Sequence, residues 1–390
     1  FPSVALAWRI NEENFLKNVD AISNLKLRLS WGQSGQCAID PYQTVGLLGN
    51  STYSFNNEGA YGFYPKTMSN KELTWETTTQ YNLGLDFGFF NNRISGSIDI
   101  YKAETRDILM NRVIPSINGY ASVMENIGKT ESTGVDLTLS TVNIQNKNFS
   151  WFSDFSLSHN REKIKELASG QLKDEANAWF VGEPFKVFYD YKKEGIWQLG
   201  EEAAAAANGQ EPGDIKVQDV DGNGVITTDD RIIYSQRPDV TFGFNNTFNY
   251  KGFDLSVFLY ARLGQWIAYD YNTTYRINAL ENGGNVDYWT PENPTNAFPR
   301  PNKSKSYTQV TYYSTLKYED GSFFKIRDIT LGYTFKPELL KHLNLSRLRV
   351  YATAKNFFTF SHLDNYDPER GGSLSYPMTK QAVFGINVDF

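Results

Sequence analysis

The last ten residues, Gln381–Phe390, read QAVFGINVDF. In an extended chain Phe384, Ile386, Val388 and Phe390 fall on one side, and Gly385, Asn387 and Asp389 on the other. That strict period of two predicts a strand with one apolar and one polar face, ending on an aromatic residue. An unpaired strand edge is a row of open N–H and C=O groups, so this strand needs a neighbour on each side. The expectation is that it closes a barrel set in an outer membrane.

The same alternation recurs upstream. Val4, Leu6, Trp8 and Ile10 form one stripe; Leu25, Leu27, Leu29 and Trp31 form another. Tyr81, Leu83, Leu85, Phe87 and Phe89 run to the turn at Asn91-Asn92, where asparagine tolerates positive φ, and Ile94, Ile98 and Ile100 return. Val135, Leu137 and Leu139 precede a turn at Asn143–Asn148, followed by Trp151, Ser153, Phe155 and Leu157. Phe242, Phe244, Phe248 and Tyr250 lead through Lys251-Gly252 to Phe253, Leu255, Val257 and Leu259. Ile329, Leu331, Tyr333 and Phe335, then Leu348, Val350, Ala352 and Ala354, complete the series. This makes about eleven strands. A single helical turn is expected at Glu13–Lys17 and a short helix over Glu201–Ala207.

Five long polar segments separate these hairpins: Gly32–Glu76, Ala103–Ser132, His159–Asp239, Leu263–Ser322 and Phe358–Lys380. Short and long connections alternate, as in transmembrane barrels with tight periplasmic turns and long outer loops. A soluble sandwich would show the same stripes facing an interior, with connections of similar length at both ends. A propeller would need regular spacing, which is absent.

Composition agrees with a half-apolar, strand-crossed membrane protein. The 390 residues are 40% hydrophobic and 15% aromatic, with 24 Tyr and 27 Phe, and mean hydropathy is -0.48. No run of about 18 apolar residues exists, so no transmembrane helix is expected. Net charge is -6 with no basic block, which argues against a nucleic-acid partner. One cysteine, Cys37, excludes an internal disulfide framework. The chain opens directly on FPSVALAWRI, already a strand, and an odd strand number does not bring both ends of a barrel to one side. A piece of a longer protein is therefore expected.

Several stretches resemble one family, the SusC/RagA-type TonB-dependent outer-membrane transporters. They are FPSVALAWRI, LKLRLSWGQSG, TTTQYNLGLDFGFFNNRISGSIDIYKAETRDIL, IGKTESTGVDLTLS, PGDIKVQDVDGNGVITTDDR, FFKIRDITLGYTF, SRLRVYATAKNFFTF and FGINVDF, in family order. The resemblance implies an all-β fold: a transmembrane antiparallel up-and-down β-barrel, with about 11 strands here as part of a 22-stranded barrel with long extracellular loops. Residues 1–390 would be its carboxy-terminal portion, with the amino-terminal plug, the TonB-contacting segment and the first barrel half outside this chain. It further implies import of an oligosaccharide or peptide through the outer membrane of a diderm bacterium. A SusD-like surface lipoprotein would act as a lid and TonB would supply energy through the plug. A passive porin, a barrel enzyme and a soluble carbohydrate-binding module are the alternatives.

The sharpest motif runs from Asp219 to Asp230, DVDGNGVITTDD. Asp219, Asp221 and Asn223 stand at positions one, three and five of a twelve-residue calcium loop. The Val225 carbonyl stands at seven, Thr227 at nine and Asp230 at twelve, with Gly224 at the sharp turn. Calcium takes six to eight oxygens, and this spacing folds them around one point. Aspartate replaces the usual glutamate at twelve, which shortens reach. The ion, Ca2+, would stiffen a long outer loop.

Aromatics in the long segments are the candidate substrate contacts: Trp179, Phe180, Tyr189, Tyr191, Trp197, Trp266, Tyr269, Tyr271, Tyr288 and Trp289. Flat rings stack on sugar faces and their polar tips hydrogen-bond; packing of loop against loop is the plainer use. Trp8, Trp31 and Trp151 sit in strand patterns and read as interfacial girdle. No catalysis is expected. His159, His342 and His362 are scattered, without HExxH or a nucleophile motif. Glu201-Glu202 reads as a solvated helix start, and Asp364, Asp367 and Glu369 read as solvated loop charge.

Overall fold

The structure, a computed structural model, describes residues 1–37, 39–42, 44–120, 122–278, 282–340 and 345–390. Eleven strands form one sheet in strict sequence order. They are β1 (Ser3–Arg9), β2 (Ile22–Gln36), β3 (Glu76–Phe89), β4 (Ile94–Arg106), β5 (Lys129–Gln145) and β6 (Phe149–Glu166), then β7 (Val240–Tyr250), β8 (Phe253–Leu263), β9 (Phe323–Thr334), β10 (Arg347–Phe360) and β11 (Gln381–Asp389). Every stripe read from the sequence forms a strand, except that Ile10 falls in the 3-10 turn after β1, and Phe335 and Phe390 lie just beyond β9 and β11. Many extend further than expected, because pairing continues beyond the apolar residues; β2, for example, pairs with β3 out to Gln36↔Glu76. No helix among the described residues is long and apolar enough to cross a membrane. The chain divides into two compact units, Phe1–Leu139 with Ser158–Phe185, and Ser140–Leu157 with Lys186–Phe390.

In the first unit the register brings like faces together. Leu29 pairs with Leu83 and Leu83 with Ile100; Leu27 pairs with Leu85 and Leu85 with Ile98. This greasy side is open: Leu29 is 53%, Leu83 44% and Ile100 51% exposed. The other side carries charge. The Arg28 guanidinium spans Asp86 and Asp99, with Nε 3.0 Å from Asp86 and Nη2 2.9 Å from Asp99. Gly84 lies beneath it, where a Cβ would collide with the guanidinium.

The second unit repeats the scheme. Phe248 pairs with Leu255, Leu255 with Leu331, Leu331 with Ala352 and Ala352 with Phe384. Leu331 is 52% and Phe384 81% exposed, so no protein interior covers this face. On the opposite side Arg349 Nε reaches Asp254, 2.9 Å away, across Gly332, and the Thr330 and Thr353 hydroxyls share a 2.9 Å bond. The alternation has polar breaks on the greasy side, and two of them, Asn246 and Ser153, meet. Asn246 Oδ1 accepts from Trp151 Nε1 at 3.0 Å and from the Ser153 hydroxyl at 2.7 Å, so these polar groups are partnered on an apolar face. Trp151 also stacks on Phe248 with rings 5.6 Å apart.

Connections obey the expected alternation. Residues 90–93, 146–148 and 251–252 are tight; Phe90, Asn91 and Asn92 all have positive φ. The 10–21 connection holds a 3-10 turn at Ile10–Glu12 and one helical turn closed by Lys17 N donating to Glu13 O, 2.8 Å. On the other side the long segments are folded. Leu48–Phe55 pairs with Glu58–Pro65, and Leu109–Val113 with Ser122–Asn126. Val187–Tyr191 pairs with Arg231–Ser235, Lys193–Ile196 with Ile215–Val217, and Trp266–Ala268 with Tyr318–Asp320. A helix, α1, covers Glu202–Ala207. The buried apolar side chains gather here. One cluster holds Met110, Ile164 and Leu167; another, in the second unit, holds Ile196, Ile215, Val217, Trp289, Tyr313 and Leu316.

Candidate functional site

The long segments hold the candidate site. The Asp219–Asp230 loop follows the strand Ile215–Val217 and ends in a 3-10 turn, Thr228–Asp230. Gly222 and Gly224 have positive φ, which lets the chain curl over the carboxylates. One carboxylate oxygen each from Asp219, Asp221 and Asp230 lies within 4.8 Å of the others. Backbone donors orient all three. Asp219 accepts from the N–H groups of Gly222 and Gly224, both 2.7 Å; Asp221 accepts from Asn223 N at 3.0 Å. Asp230 accepts from Val220 N at 2.8 Å and Thr227 N at 2.7 Å. The Thr227 N–H in particular holds the Asp230 carboxyl below the usual carboxylate range. The Asn223 amide is turned to its own loop: Nδ2 donates to Asp221, and Oδ1 accepts from Val225 N. Three convergent hard oxygens fit a calcium ion.

The aromatic candidates separate into two groups. Trp197 and Trp289 are 7% and 5% exposed; their indole N–H groups donate to Gln210 and Gln198, both at 2.8 Å. Lys216 Nζ sits 4.7 Å over the Trp197 ring. Trp179 packs edge-on against Phe185, next to the Met110 cluster, and Phe180 is buried. Trp266 meets Tyr234 edge-on at 4.8 Å. Tyr189 and Tyr191 share the Arg231 guanidinium, at 5.6 and 5.4 Å. These rings hold the outer segments together. Burial pushes the Tyr234 phenol well above its ordinary pKa.

Tyr269, Tyr271 and Tyr288 are placed differently. Tyr269 and Tyr271 line a cleft of about 310 Å³ with Lys193, Asp287, Glu319, His362 and Asp364. Tyr269 is 3% exposed and its hydroxyl accepts from Asn365 N and Tyr366 N, 3.2 and 2.9 Å, so it anchors the 361–380 segment. Tyr271 is half-buried, and Tyr288 is 43% exposed, stacked on Tyr275. Burial lowers the Lys193 ammonium pKa from its ordinary value. A larger cleft of about 780 Å³ lies nearby, lined by Asp270, Arg276, Lys317 and the rings of Tyr307, Tyr312 and Tyr313. The run Tyr307–Tyr318, dense in Tyr and Thr, is the sequence signal that would have pointed to it.

Two of the charges read as solvated are not. Asp367 and Glu369 are 13% and 10% exposed at their side chains, and they enclose the fully buried Lys325 ammonium at 2.6 and 2.7 Å. The partner lies on β9, more than forty residues upstream, so local sequence could not reveal the pairing. Glu201 and Glu202 accept from Gln198 N and Gly200 N in the turn that leads into α1, and Glu201 also pairs with Lys216 at 3.0 Å. His362 Nε2 lies 3.6 Å from Glu319, and the hydroxyl of the adjacent Ser361 donates to Leu363 O at 3.2 Å; His342 lies outside the described residues.

Comparison with known proteins places this architecture. Residues 1–357 match the family described as TonB dependent receptor-like, beta-barrel. TonB-dependent receptor P26 of Formosa agariphila is 33% identical over 422 residues, covering all of this chain and 42% of that protein. TonB-dependent receptor SusC of Bacteroides thetaiotaomicron is 33% identical over 425 residues, covering all of this chain and 40% of that protein. The solved structure of the RagAB peptide transporter superposes with a TM-score of 0.80 at 27% identity, covering all of this chain and 43% of that one. The chain thus spans about two fifths of the length of the relatives it matches. The likeness to SusC/RagA-type proteins holds along the whole chain, and the open greasy face of the sheet is the surface that meets outer-membrane lipid. The chain belongs to the TonB-dependent receptor-like β-barrel family.

Proposed function

We propose that the protein containing this chain imports a bulky nutrient, an oligosaccharide or a peptide, across the outer membrane. A SusD-like lipoprotein captures cargo above the long segments. TonB, acting through a plug outside these residues, opens the passage. β1 and β11 are the edges of the sheet, and on this reading they pair with strands that lie outside this chain, since an open edge is a pairing hazard. The polar face of Arg28, Asp86, Asp99, Asp254 and Arg349 lines a wet lumen.

One observation carries the reading. The long connections are built structures with hairpins, buried clusters and clefts, whereas the opposite connections are tight turns at 90–93, 146–148 and 251–252 and short links at 10–21 and 335–346. A simple diffusion pore has no need of such a superstructure; a cargo-binding cavity does. Tyr271 and Tyr288 are assigned to cargo contact, because they keep ring surface free beside clefts. Trp179, Trp197, Trp266, Trp289 and Tyr269 support the segments that carry them. Calcium, held by Asp219, Asp221, Asn223, Thr227, Asp230 and the Val225 carbonyl, would stiffen the outer segment between β6 and β7 and take no part in chemistry.

Uptake of labelled oligosaccharide and oligopeptide pools by cells with and without the gene tests the transport reading. Import should require both the gene and an energised inner membrane. Uptake that persists after a protonophore collapses the proton gradient would instead describe a passive pore. Cleavage of cargo at the surface without entry would describe an enzyme.

A further inference from the structure

The greasy face of the first unit changes character along its strands in a defined order. Beside the tight 90–93 connection stand Phe87, Phe89 and Ile94. Leucine and isoleucine rows follow, then the Trp31↔Tyr81 pair, and Tyr81 pairs in turn with Lys102. Eight residues separate Ile94 from Lys102. At about 3.3 Å per residue and a tilt of about 40°, that is a climb of about 20 Å, near the top of an apolar band about 25 Å tall. Lys102 therefore stands at the boundary of the leaflet on the side of the long connections.

Lys102 is not alone there. Its Nζ is 2.8 Å from one Glu131 oxygen, and Lys163 Nζ is 3.0 Å from the other. Two ammonium groups share one carboxylate, so the cluster keeps a net positive charge. Each ammonium has three donors, and the lysine side chains remain 55% and 39% exposed. Alternation along β6 puts Arg161 and Lys165 on the same face as Lys163, and both are exposed. Lys129 and Arg106, both paired with Glu104, lie further up the same face. Six cations stand against two carboxylates on a surface that faces lipid below. Directly beneath Lys102 runs a shallow groove of about 370 Å³, walled by Leu29, Tyr81, Leu83, Ile100 and Val135.

An apolar groove topped by excess positive charge, at headgroup height, matches one kind of occupant. We infer that Lys102 and Lys163, bridged by Glu131, bind the phosphate of an acylated lipid in the outer leaflet while the Leu29–Ile100 groove takes one of its acyl chains. Lysine stems lie along the apolar surface and lift their charge into the headgroup layer, as amphipathic side chains do at interfaces. The site is independent of cargo and of the clefts in the second unit. It would seat the barrel in its membrane at a fixed depth.

The test uses the intact protein, purified in a mild detergent and examined by native mass spectrometry with diphosphorylated lipid A as probe. A near-stoichiometric adduct is expected. Each lysine near a charged headgroup contributes enough that Lys102→Gln with Lys163→Gln together should weaken retention roughly thirtyfold. Lys102→Arg with Lys163→Arg should keep it. Enzymatically dephosphorylated lipid A should bind like the double glutamine variant, and millimolar inorganic phosphate should not displace the lipid. Heat-modified gel mobility shows which variants hold a folded barrel. Equal retention of phosphorylated and dephosphorylated lipid, or unchanged retention by a folded Gln variant, overturns the proposal. Displacement by inorganic phosphate overturns it too, since it marks a free-anion site.

Discussion

Lys325→Met is the most informative single change in the second unit. The Lys325 ammonium is wholly buried between Asp367 and Glu369, whose side chains are 13% and 10% exposed. The Thr359 hydroxyl also donates to Asp367, at 3.0 Å, and Arg327 Nη1 lies 3.3 Å from Glu369. Methionine keeps the volume and removes the charge, leaving two carboxylates crowded on the inner side of β9. Removing one partner of a buried ion pair costs about 3–5 kcal/mol. Because Arg327 remains near Glu369, the lower end applies, about 3 kcal/mol, or about a hundredfold in a local opening equilibrium. The segment that opens is 361–380, tied to β9 through these two residues and to the Tyr269 hydroxyl. Hydrogen exchange resolves it. Amides of Glu369 and Gly371 should exchange about a hundredfold faster, while strand amides of β7 and β8 keep their protection. Adding Asp367→Asn and Glu369→Gln to Lys325→Met should restore slow exchange, since no buried charge is then left unpaired and Arg327, which loses Glu369, is 39% exposed to solvent. A change under threefold in the single variant, or fast exchange persisting in the triple variant, would refute the reasoning that this pairing holds the segment.

Ile215→Ala, at a fully buried position of the Trp289 cluster, should destabilise the outer superstructure by about 2–5 kcal/mol. The measurement is limited proteolysis of residues 186–239, with the barrel's heat-modified gel mobility unchanged. For the Asp219–Asp230 loop, calorimetry with calcium should show saturable heat that Asp221→Ala abolishes; no heat in the wild type would remove calcium from the account. The pH dependence of that loop follows from Asp230, whose folded pKa is depressed by the Thr227 N–H. Its stabilisation is present above the unfolded value of about 3.9 and is lost as pH falls through the lower folded value. Loop protection should therefore survive to pH 5 and fail only in strong acid, as hydrogen exchange across 219–230 would read. Tyr271→Ala should cut cargo uptake severalfold with normal barrel mobility, whereas uptake equal to wild type would take Tyr271 out of the cargo surface.

The two-residue period and the alternation of short with long connections already contained the sheet. In a strand the side chain's face is settled by its position in the chain, so Leu83, Leu331 and Phe384 could be put on the greasy side without coordinates. The carboxylate loop was legible for a similar reason: its three converging carboxylates lie within twelve residues, and two glycines shape the turn. Tertiary structure decided what depends on distant partners. Which rings keep free surface could not be read from residue type, since Trp197 is closed off by Gln210 and Lys216, and Trp289 by Gln198. The charge of Asp367 and Glu369 looked solvated because Lys325 stands more than forty residues away and is brought to them only by the path of the chain over β9. The positive rim around Glu131 likewise comes from three strands whose lysines are unremarkable one by one. Periodicity is a local property and survives in the sequence; burial and ion pairing are properties of what the fold brings alongside.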